Sequence, residues 1–315
     1  MSSWTVPAGH RTTRLDAFVR RCLPYLSQRE ARKAIAERAF WINDRPARKG
    51  DRVFGGDVLT LKGFPHLLRQ SPLPERNLKV PVLYEDESIL ALDKPAGMAT
   101  HGFSGREIHT LANFLVAMRP SLYSIGRSRW EPGLVHRLDK DTSGIVLAAK
   151  DQASFVDIRS QFRRRLIKKR YWALVWGRTR KEGLIAYPLI HNPGDRRKMR
   201  PVLEDGGKKN QPRSWKAVTR FRTLGCSQGF SLLEVDMDTG VTHQIRIHFA
   251  AIGHPLVGDL LYDEGRPDRF GLGRLFLHAF YLGFRHPRSG RDTVIKSPLP
   301  RELRQVLDRL GIELR

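Results

Sequence analysis

The chain has 315 residues, 40% apolar and 28% charged, a composition that indicates a packed core and excludes a disordered chain. The 56 Lys and Arg outnumber the 32 Asp and Glu, and the net charge of +24 favours a polyanionic partner over an anionic membrane surface or a merely basic protein. Cys22 and Cys226 form neither a disulfide framework nor a Cys-x-x-Cys motif. No apolar run reaches the ~18 residues of a membrane span. We therefore expect a cytoplasmic monomer without a signal segment.

The first 62 residues are predicted to form a small α/β domain. Ser27 has the character of a helix N-cap, and Glu30, three residues later, completes a capping box. Apolar runs at 40–42 and 58–61 predict two strands. The prolines among polar residues over 63–79 then indicate an extended linker.

This small domain resembles the RNA-binding fold of the S4 type, first known from ribosomal proteins. The runs Arg14-Leu15-Asp16 and Gly56-Asp57 match its pattern, whereas Arg38 and Asp44 stand where glycines are usual. The resemblance implies an RNA-binding helix face, for which a merely solvated face is the alternative. The candidates on that face are Arg29 and Lys33.

From residue 80 to 315 we predict one larger α+β domain. Two strands within 82–92 are joined by an acidic turn, and a helix is expected over 109–118. Between them, the run Asp93-Lys94-Pro95-Ala96-Gly97 predicts a fixed turn.

The centre of this domain is the segment 134–144, which reads Leu-Val-His-Arg-Leu-Asp-Lys-Asp-Thr-Ser-Gly. Asp139 lies between basic residues in a turn-like stretch, and an apolar strand-like run follows at 145–149. We therefore expect a carboxylate at the rim of a sheet, held ionised by its positive neighbours. A polar surface turn is the alternative that spacing alone leaves open.

The remaining elements follow from periodicity and charge. A helix over 153–165 runs into the basic stretch 163–170 and a strand over 171–177. A polar, basic loop is expected over 193–215, either mobile or a solvated insertion. The last elements are a helix capped by Thr242, a final core strand from residue 275 to 284, and a closing amphipathic helix over 301–311.

Four of these segments resemble the motifs of the RluA-type RNA pseudouridine synthases, which isomerise uridine in ribosomal or transfer RNA. The first is His-Arg-Leu-Asp-x-x-Thr-Ser-Gly at 136–144, and the second is Lys-x-Tyr-x-Ala-Leu-Val-x-Gly at 169–177. The third is Thr-Gly-x-Thr-His-Gln-Ile-Arg at 239–246, with Val241 where arginine is usual, and the fourth is Leu-His-Ala at 277–279. The resemblance covers residues 12–303 and implies a mixed, mainly antiparallel sheet with flanking helices.

The resemblance also implies roles for the matched residues. Asp139 would be catalytic, Arg246 would pair with it, and Tyr171 would stack on the target base, although a core aromatic is the alternative for Tyr171. The substrate-binding candidates are His136, Arg137, Thr142, Lys169 and Leu277. The RNA-binding candidates in this domain are Arg163, Arg164, Arg165, Lys168 and Arg170.

The implied reaction joins carbon 5 of uracil to the ribose carbon that nitrogen 1 leaves. Substrate and product are isomers, so we expect no cofactor. No metal is expected either, because the spacing of His243, His248 and His254 fits no common site. Asp139 could attack carbon 1′ or remove a proton from carbon 2′. A non-catalytic RNA-binding or ribosome-assembly factor, and a hydrolase that releases uracil, are the alternatives. The small domain favours ribosomal RNA over transfer RNA.

Overall fold

A computed structural model describes residues 2–24, 26–64, 71–102, 107–195, 197–202, 214–263 and 265–314. It contains two compact units, one made of Met1–Leu73 with Gly102–Ile108, the other of Pro74–His101 with His109–Arg315. Residues 65–70 of the predicted linker, and Arg196 and 203–213 of the predicted basic loop, lie outside the described residues. The linker bounds of 63 and 79 therefore stay a prediction.

The first unit combines two helices with two small antiparallel sheets. Its strands are β1 (Ser2–Thr5), β2 (Thr13–Arg14), β3 (Phe40–Ile42), β4 (Arg45–Pro46), β5 (Arg52–Val53) and β6 (Val58–Leu61), and its helices are α1 (Leu15–Cys22) and α2 (Gln28–Ala36). One sheet has the order β1-β6-β3-β4, and β2 pairs with β5. The predicted capping box is confirmed, because Ser27 Oγ accepts the Glu30 N–H and the Glu30 carboxylate accepts the Ser27 N–H.

Two turns of this unit hold side chains where the S4 pattern has glycine. Arg38 has a φ of 60° and Asp44 a φ of 65°, both in the left-handed region. A residue with a Cβ is disfavoured there by ~1–2 kcal/mol, and less when it is Asp or Asn. These departures from the pattern therefore leave the turns in place but make them less stable than glycine would.

The second unit is built on a mixed, mainly antiparallel sheet, as predicted, and this sheet has nine strands. Its strands are β7 (Val82–Glu85), β8 (Ile89–Lys94), β9 (Ser143–Ala149), β10 (Lys168–Trp176), β11 (Glu182–Ile185), β14 (Thr219–Ser227), β15 (Phe230–Met237), β16 (Leu277–Arg285) and β17 (Asp292–Lys296). The order is β11-β14-β15-β10-β16-β9-β8-β7, with β17 paired to β16. Every pairing is antiparallel except that of β16 with β9.

Helices cover both faces of this sheet. They are α3 (Leu111–Met118), α4 (Gln152–Arg163), α5 (Gln244–Ala251) and α6 (Arg301–Leu310), with a 3-10 turn at Pro120–Ser124. Side chains alternate along β10, so Tyr171 and Ala173 pack in one core with α3 and α5, while Leu174 packs in another with α6. Tyr171 therefore faces the side of the sheet that carries α5, the helix of the third motif.

Three local predictions were wrong, and the helix expected over 109–118 is confirmed with a start two residues later. Helix α5 begins at Gln244 with His243 as its N-cap, and the Gln244 N–H that a Thr242 cap would accept donates to the Val241 carbonyl at 3.1 Å. Helix α3 begins at Leu111 and is capped by Thr110. The strand β16 is not the last, since β17 pairs with it. Within the predicted loop 193–215, β13 (Met199–Pro201) pairs with β12 (Leu189–His191).

Candidate active site

Asp139 lies on the turn that leads into β9, and two buried polar side chains fix this turn. Thr100 Oγ1 donates to the Leu138 carbonyl at 2.7 Å and accepts the Leu138 N–H at 3.2 Å. The Lys94 ammonium donates to the Lys140 carbonyl at 3.0 Å. Backbone atoms on both sides of Asp139 are therefore held, which gives its carboxylate a defined position.

Lys94 is fully buried within the predicted turn 93–97. Its ammonium also donates to the carbonyls of Pro95, at 2.9 Å, and Met98, at 2.7 Å. Desolvation, and then the positive charge of Arg274, lower the pKa of Lys94 to about 7. The turn at 93–97 is thus an anchor for the Asp139 turn, a link that the sequence did not indicate.

Arg246 approaches Asp139 from α5. Its Nη1 lies 3.8 Å from Asp139 Oδ2, but its short bonds go to Asp259, with Nε and Nη2 each 2.6 Å from a carboxylate oxygen. Burial acts to lower the pKa of Arg246, but the hydrogen bonds and charge of Asp259, and then the charge of Asp139, raise it. The predicted partners are adjacent, and a second carboxylate that sequence reasoning missed binds the arginine more closely.

His243 is a further neighbour of Asp139. Its Nε2 lies 3.9 Å from Asp139 Oδ2, and its Nδ1 is 2.9 Å from the Tyr262 hydroxyl, which accepts the Met199 N–H. The residue has a φ of 55°, in the left-handed region, directly before α5. Burial lowers the pKa of His243, so the imidazole is neutral at pH 7.

These residues border a cavity of about 940 Å³ within the second unit. All eight predicted catalytic and substrate-binding residues line it, namely Asp139, Arg246, Tyr171, His136, Arg137, Thr142, Lys169 and Leu277. The Asp139 side chain is 21% exposed in the wall. The cavity therefore brings together residues that lie up to 141 positions apart in the sequence, between His136 and Leu277.

Three of the predicted wall residues, Tyr171, Leu277 and His136, are uncharged. Tyr171 and Leu277 are buried, and desolvation, followed by the charge of Asp139, raises the pKa of Tyr171, which keeps its phenol neutral. His136 Nε2 accepts the Leu147 N–H at 3.0 Å, and burial lowers the pKa of His136 to about 3. Tyr171, Leu277 and His136 thus contribute neutral groups to the wall that also holds the carboxylate.

Two other wall residues offer hydrogen-bond donors. Lys169 donates to the Thr239 carbonyl at 3.0 Å, and burial lowers the pKa of Lys169 to about 8. The Thr142 hydroxyl is buried and has no hydrogen-bond partner among the described residues. Because a buried hydroxyl without a partner is costly, Thr142 is a candidate for contact with a ligand in the cavity.

The predicted RNA-binding residues lie in different settings, some on the cavity wall, some exposed and one in ion pairs on the sheet. Arg163 and Arg165 line the cavity, and Arg164 and Lys168 are exposed. Arg170 instead lies near Glu234 and Asp236, at 3.5 and 3.2 Å, and over the ring of Tyr281, so it is engaged within the sheet. In the first unit, Arg29 and Lys33 are exposed on α2.

Sequence reasoning missed four further residues at this site. Arg127, Arg159 and Lys216 line the cavity, and Asp259 binds Arg246. Helical spacing could have indicated Arg159, which lies one turn before Arg163 on α4. Within the described ranges no three His, Cys, Asp or Glu side chains cluster as a metal site, and no described helix could cross a membrane.

Comparisons with known proteins identify the family of the chain. Residues 88–251 match the family model of RNA pseudouridylate synthases, and residues 13–59 match that of the S4 domain. The chain is 38% identical to an uncharacterised RNA pseudouridine synthase of Chloroflexus aurantiacus, covering 97% of this chain and 92% of that one. It is 33% identical to ribosomal large subunit pseudouridine synthase D of Nitrosomonas europaea, covering 96% and 86%.

A solved structure shares the fold. Human RNA pseudouridylate synthase domain containing 4 superimposes with a TM-score of 0.60 at 24% identity, covering 74% of this chain and 94% of that one. The family match spans more than half of the chain, and relatives above 30% identity span nearly all of it. The chain therefore belongs to the RNA pseudouridine synthase family and is an enzyme of that class, with an S4 domain in its N-terminal part.

Proposed function

We propose that this enzyme converts uridine to pseudouridine in ribosomal RNA and that Asp139 is its catalytic residue. The observation that carries the proposal is the Asp139 carboxylate in the cavity wall, 21% exposed and 3.8 Å from Arg246. A carboxylate at that point can reach the sugar of a bound nucleotide, and the guanidinium supplies a counter-charge for it.

The bonds to be changed limit what Asp139 has to do. The bond between nitrogen 1 and carbon 1′ breaks, and the uracil departs with its electron pair. The uracil then turns, carbon 5 bonds to carbon 1′, the hydrogen on carbon 5 leaves as a proton, and nitrogen 1 takes up a proton. Asp139 either attacks carbon 1′ and is later displaced by carbon 5, or takes a proton from carbon 2′ to give a glycal and returns it to carbon 2′ as carbon 5 bonds to carbon 1′. On both routes the carboxylate stabilises positive charge that develops at carbon 1′.

Two uncharged wall residues assist the step in which the base turns. Tyr171 and Leu277 exclude water from the reacting carbon, which protects it from hydrolysis. Stacking on the Tyr171 ring is worth ~1–3 kcal/mol, comparable with the few kcal/mol needed to flip a nucleotide out of an RNA stack. Arg137 is exposed beside Asp139, and we assign it to fill the vacated stack.

Ribosomal RNA is proposed because relatives that match nearly the whole chain carry the name ribosomal large subunit pseudouridine synthase D. The net charge of +24 suits a long polyanion. We assign backbone contacts to the exposed residues of two basic regions, which are Arg29 and Lys33 on α2, and Arg163, Arg164, Arg165 and Lys168 beside the cavity. The proposed organisation is an RNA-binding domain over 1–62, a linker over 63–79 and a catalytic domain over 80–315, acting as a cytoplasmic monomer.

The test is a pseudouridine map of ribosomal and transfer RNA from cells with and without the gene. We expect at least one large-subunit site to disappear and to return with the wild-type protein. Asp139→Asn should not restore it, whereas the control Asp308→Asn, exposed on α6, should. Purified Asp139→Asn should bind a fragment containing the site within threefold of wild-type affinity. Loss of sites in transfer RNA alone would refute the ribosomal substrate, and restoration by Asp139→Asn would refute its catalytic role.

A further inference from the structure

We infer that His243 is a further catalytic residue, which donates a hydrogen bond from Nε2 to the uracil carbonyl beside the bond that breaks. This inference rests on the proposed function, since it takes the ribose of the target uridine to lie at Asp139. The His243 side chain lines the cavity and is 16% exposed, and its Nε2 is 3.9 Å from Asp139 Oδ2. A donor so close to the reacting carboxylate is also close to the sugar carbon that the carboxylate must reach.

The side chain of His243 is not used to hold the helix that follows it. His243 is the N-cap of α5 and has a φ of 55°, but its side chain makes no capping hydrogen bond. A left-handed backbone is uncommon for a residue other than glycine, although less so for histidine, and such residues are concentrated at functional sites. The imidazole instead reaches the cavity wall, where Asp139 and Arg246 also lie.

Tyr262 determines which nitrogen of the imidazole carries the proton. Its hydroxyl oxygen accepts the Met199 N–H at 2.9 Å and lies 2.9 Å from His243 Nδ1. Burial raises the pKa of Tyr262 to about 12, so the phenol keeps its proton at pH 7. Among the described residues no other acceptor hydrogen-bonds to this hydroxyl, so it donates to Nδ1. The neutral imidazole therefore has its own proton on Nε2.

The Nε2 proton has no hydrogen-bond partner within the described parts of the chain. Asp139 Oδ2, at 3.9 Å, is beyond hydrogen-bonding distance. Burial lowers the pKa of His243, so the imidazole stays neutral at pH 7 and forms no ion pair with Asp139. The cavity wall thus presents one N–H donor to a ligand, directly beside the reacting carboxylate.

The reaction generates negative charge that such a donor stabilises. As nitrogen 1 leaves carbon 1′ with the electron pair, the charge spreads over nitrogen 1 and both carbonyl oxygens of uracil. Oxygen 2 is the carbonyl oxygen next to the breaking bond. A half-turn of the ring about the line through nitrogen 3 and carbon 6 brings carbon 5 to the place of nitrogen 1, and oxygen 4 to the place of oxygen 2. One fixed N–H therefore meets a carbonyl before and after the turn, and no proton passes from His243 to the ring.

The test measures release of tritium from carbon 5 of uridine in an unmodified large-subunit ribosomal RNA transcript, with enzyme in excess. His243→Asn suits the left-handed backbone and still accepts from Tyr262, but it is too short to present an N–H at the position of Nε2. His243→Gln has an amide nitrogen as many bonds from the backbone as Nε2. We expect His243→Asn to be about 30- to 100-fold slower than wild type and His243→Gln to stay within about fivefold. Equal rates for these two variants would overturn the inference.

The matched control is His109→Asn. His109 also has a left-handed φ, 57°, shortly before a helix, but it is exposed and does not line the cavity. This control should stay within about threefold of the wild-type rate. His243→Asn should bind the transcript within about threefold of wild-type affinity, and equal losses of rate and affinity would overturn the inference. If His243→Asn does not fold, His243→Phe, which keeps a ring without an N–H, replaces it with the same expected rate.

A synthetic RNA fragment with 2-thiouridine at the target tests which atom His243 contacts. Sulfur accepts hydrogen bonds weakly, so His243→Asn should slow conversion of this fragment by less than about threefold. A loss as large as that on uridine would overturn the contact. Nitrogen NMR of histidine-labelled protein tests the tautomer without RNA, with the His243 signals assigned by their loss in the variant. We expect the proton on Nε2, and a proton on Nδ1 would overturn the inference.

Asp139→Asn in the tritium assay separates the two proposals. If Asp139→Asn releases tritium at the wild-type rate, the proposed function of Asp139 falls and the role of His243 falls with it. If Asp139→Asn is inactive while His243→Asn matches His109→Asn, only the inference about His243 is overturned.

Discussion

Replacing Gly144 by alanine should destabilise the second unit by about 4 kcal/mol, from a backbone term and a packing term. Gly144 pairs with Ala279 where β9 meets β16 in parallel, and its φ is +114°. A Cβ at this position would lie 2.3 Å from the Ala279 carbonyl oxygen and 2.7 Å from the Ala279 nitrogen. Both contacts are with backbone, so no side-chain rotation relieves them and the two strands must move apart.

The magnitude comes from these two terms. A residue with a Cβ held in a sparsely populated backbone region costs ~1–3 kcal/mol. Forcing an extra carbon into a packed interior costs a further ~1–3 kcal/mol. With a slope of ~2–3 kcal/mol per molar urea for a domain of this size, the unfolding midpoint should fall by about 1.5 M.

The assay is urea unfolding followed by tryptophan fluorescence, with Gly229→Ala as the control. Gly229 also has a left-handed φ, +81°, but a Cβ there would meet nothing within 4 Å. The control therefore carries the backbone term alone, ~1 kcal/mol or slightly more. Midpoints for the two variants within 0.3 M, roughly 1 kcal/mol at that slope, would refute the argument that the close contact of β9 with β16 requires glycine.

Two other variants test the cavity wall. Thr142→Val removes a buried hydroxyl that has no partner among the described residues, so it should keep or raise the melting temperature. It should also slow the release of tritium from carbon 5 of uridine in an RNA transcript at least tenfold. An unchanged rate would mean that the hydroxyl does not touch substrate. His136→Gln should reduce the fall in the free energy of unfolding that occurs as the pH is lowered. Burial lowers the pKa of His136 from 6.5 to about 3, so between these values the unfolded chain binds a proton that the folded chain does not. The free energy of unfolding of the wild type should therefore fall by about 2 kcal/mol between pH 7.5 and pH 5 because of His136. Thermal melts at the two pH values should show a smaller decrease for the variant, and equal decreases would contradict this.

The parts of the site that the sequence predicted lie within contiguous motifs. Residues 136–144 carry Asp139, Arg137 and Thr142 in one short run, so their proximity follows from the chain itself. The capping box of Ser27 and Glu30 was predictable for the same reason, since its partners are three residues apart. Local chemistry of this kind needs no knowledge of the tertiary fold.

The contacts that tie the motifs together could not be predicted from the sequence. Some of the partners are distant in the sequence, and elsewhere another local acceptor takes the donor of the predicted hydrogen bond. Lys94 reaches the Lys140 carbonyl across 46 residues, and nothing in either segment specifies the other. Arg170 was assigned to RNA from charge density, but its neighbours on β15, Glu234 and Asp236, engage it across the sheet. The Thr242 cap was wrong because the Gln244 N–H donates to the Val241 carbonyl, which leaves His243 as the N-cap. The partners of Lys94 and Arg170 become neighbours only when the chain folds.

The charge distribution explains how a strongly basic protein can use a carboxylate on a polyanion. Two carboxylates, Asp139 and Asp259, face the single guanidinium of Arg246, so these three side chains together carry one net negative charge. Burial lowers the pKa of the neighbouring His243. Seven further cationic residues line the cavity, and they are Arg127, Arg137, Arg159, Arg163, Arg165, Lys169 and Lys216. Phosphates are attracted to these cations and repelled by the two carboxylates. The part of a nucleotide that can approach Asp139 is therefore its uncharged sugar and base, which is where an isomerisation at carbon 1′ must occur.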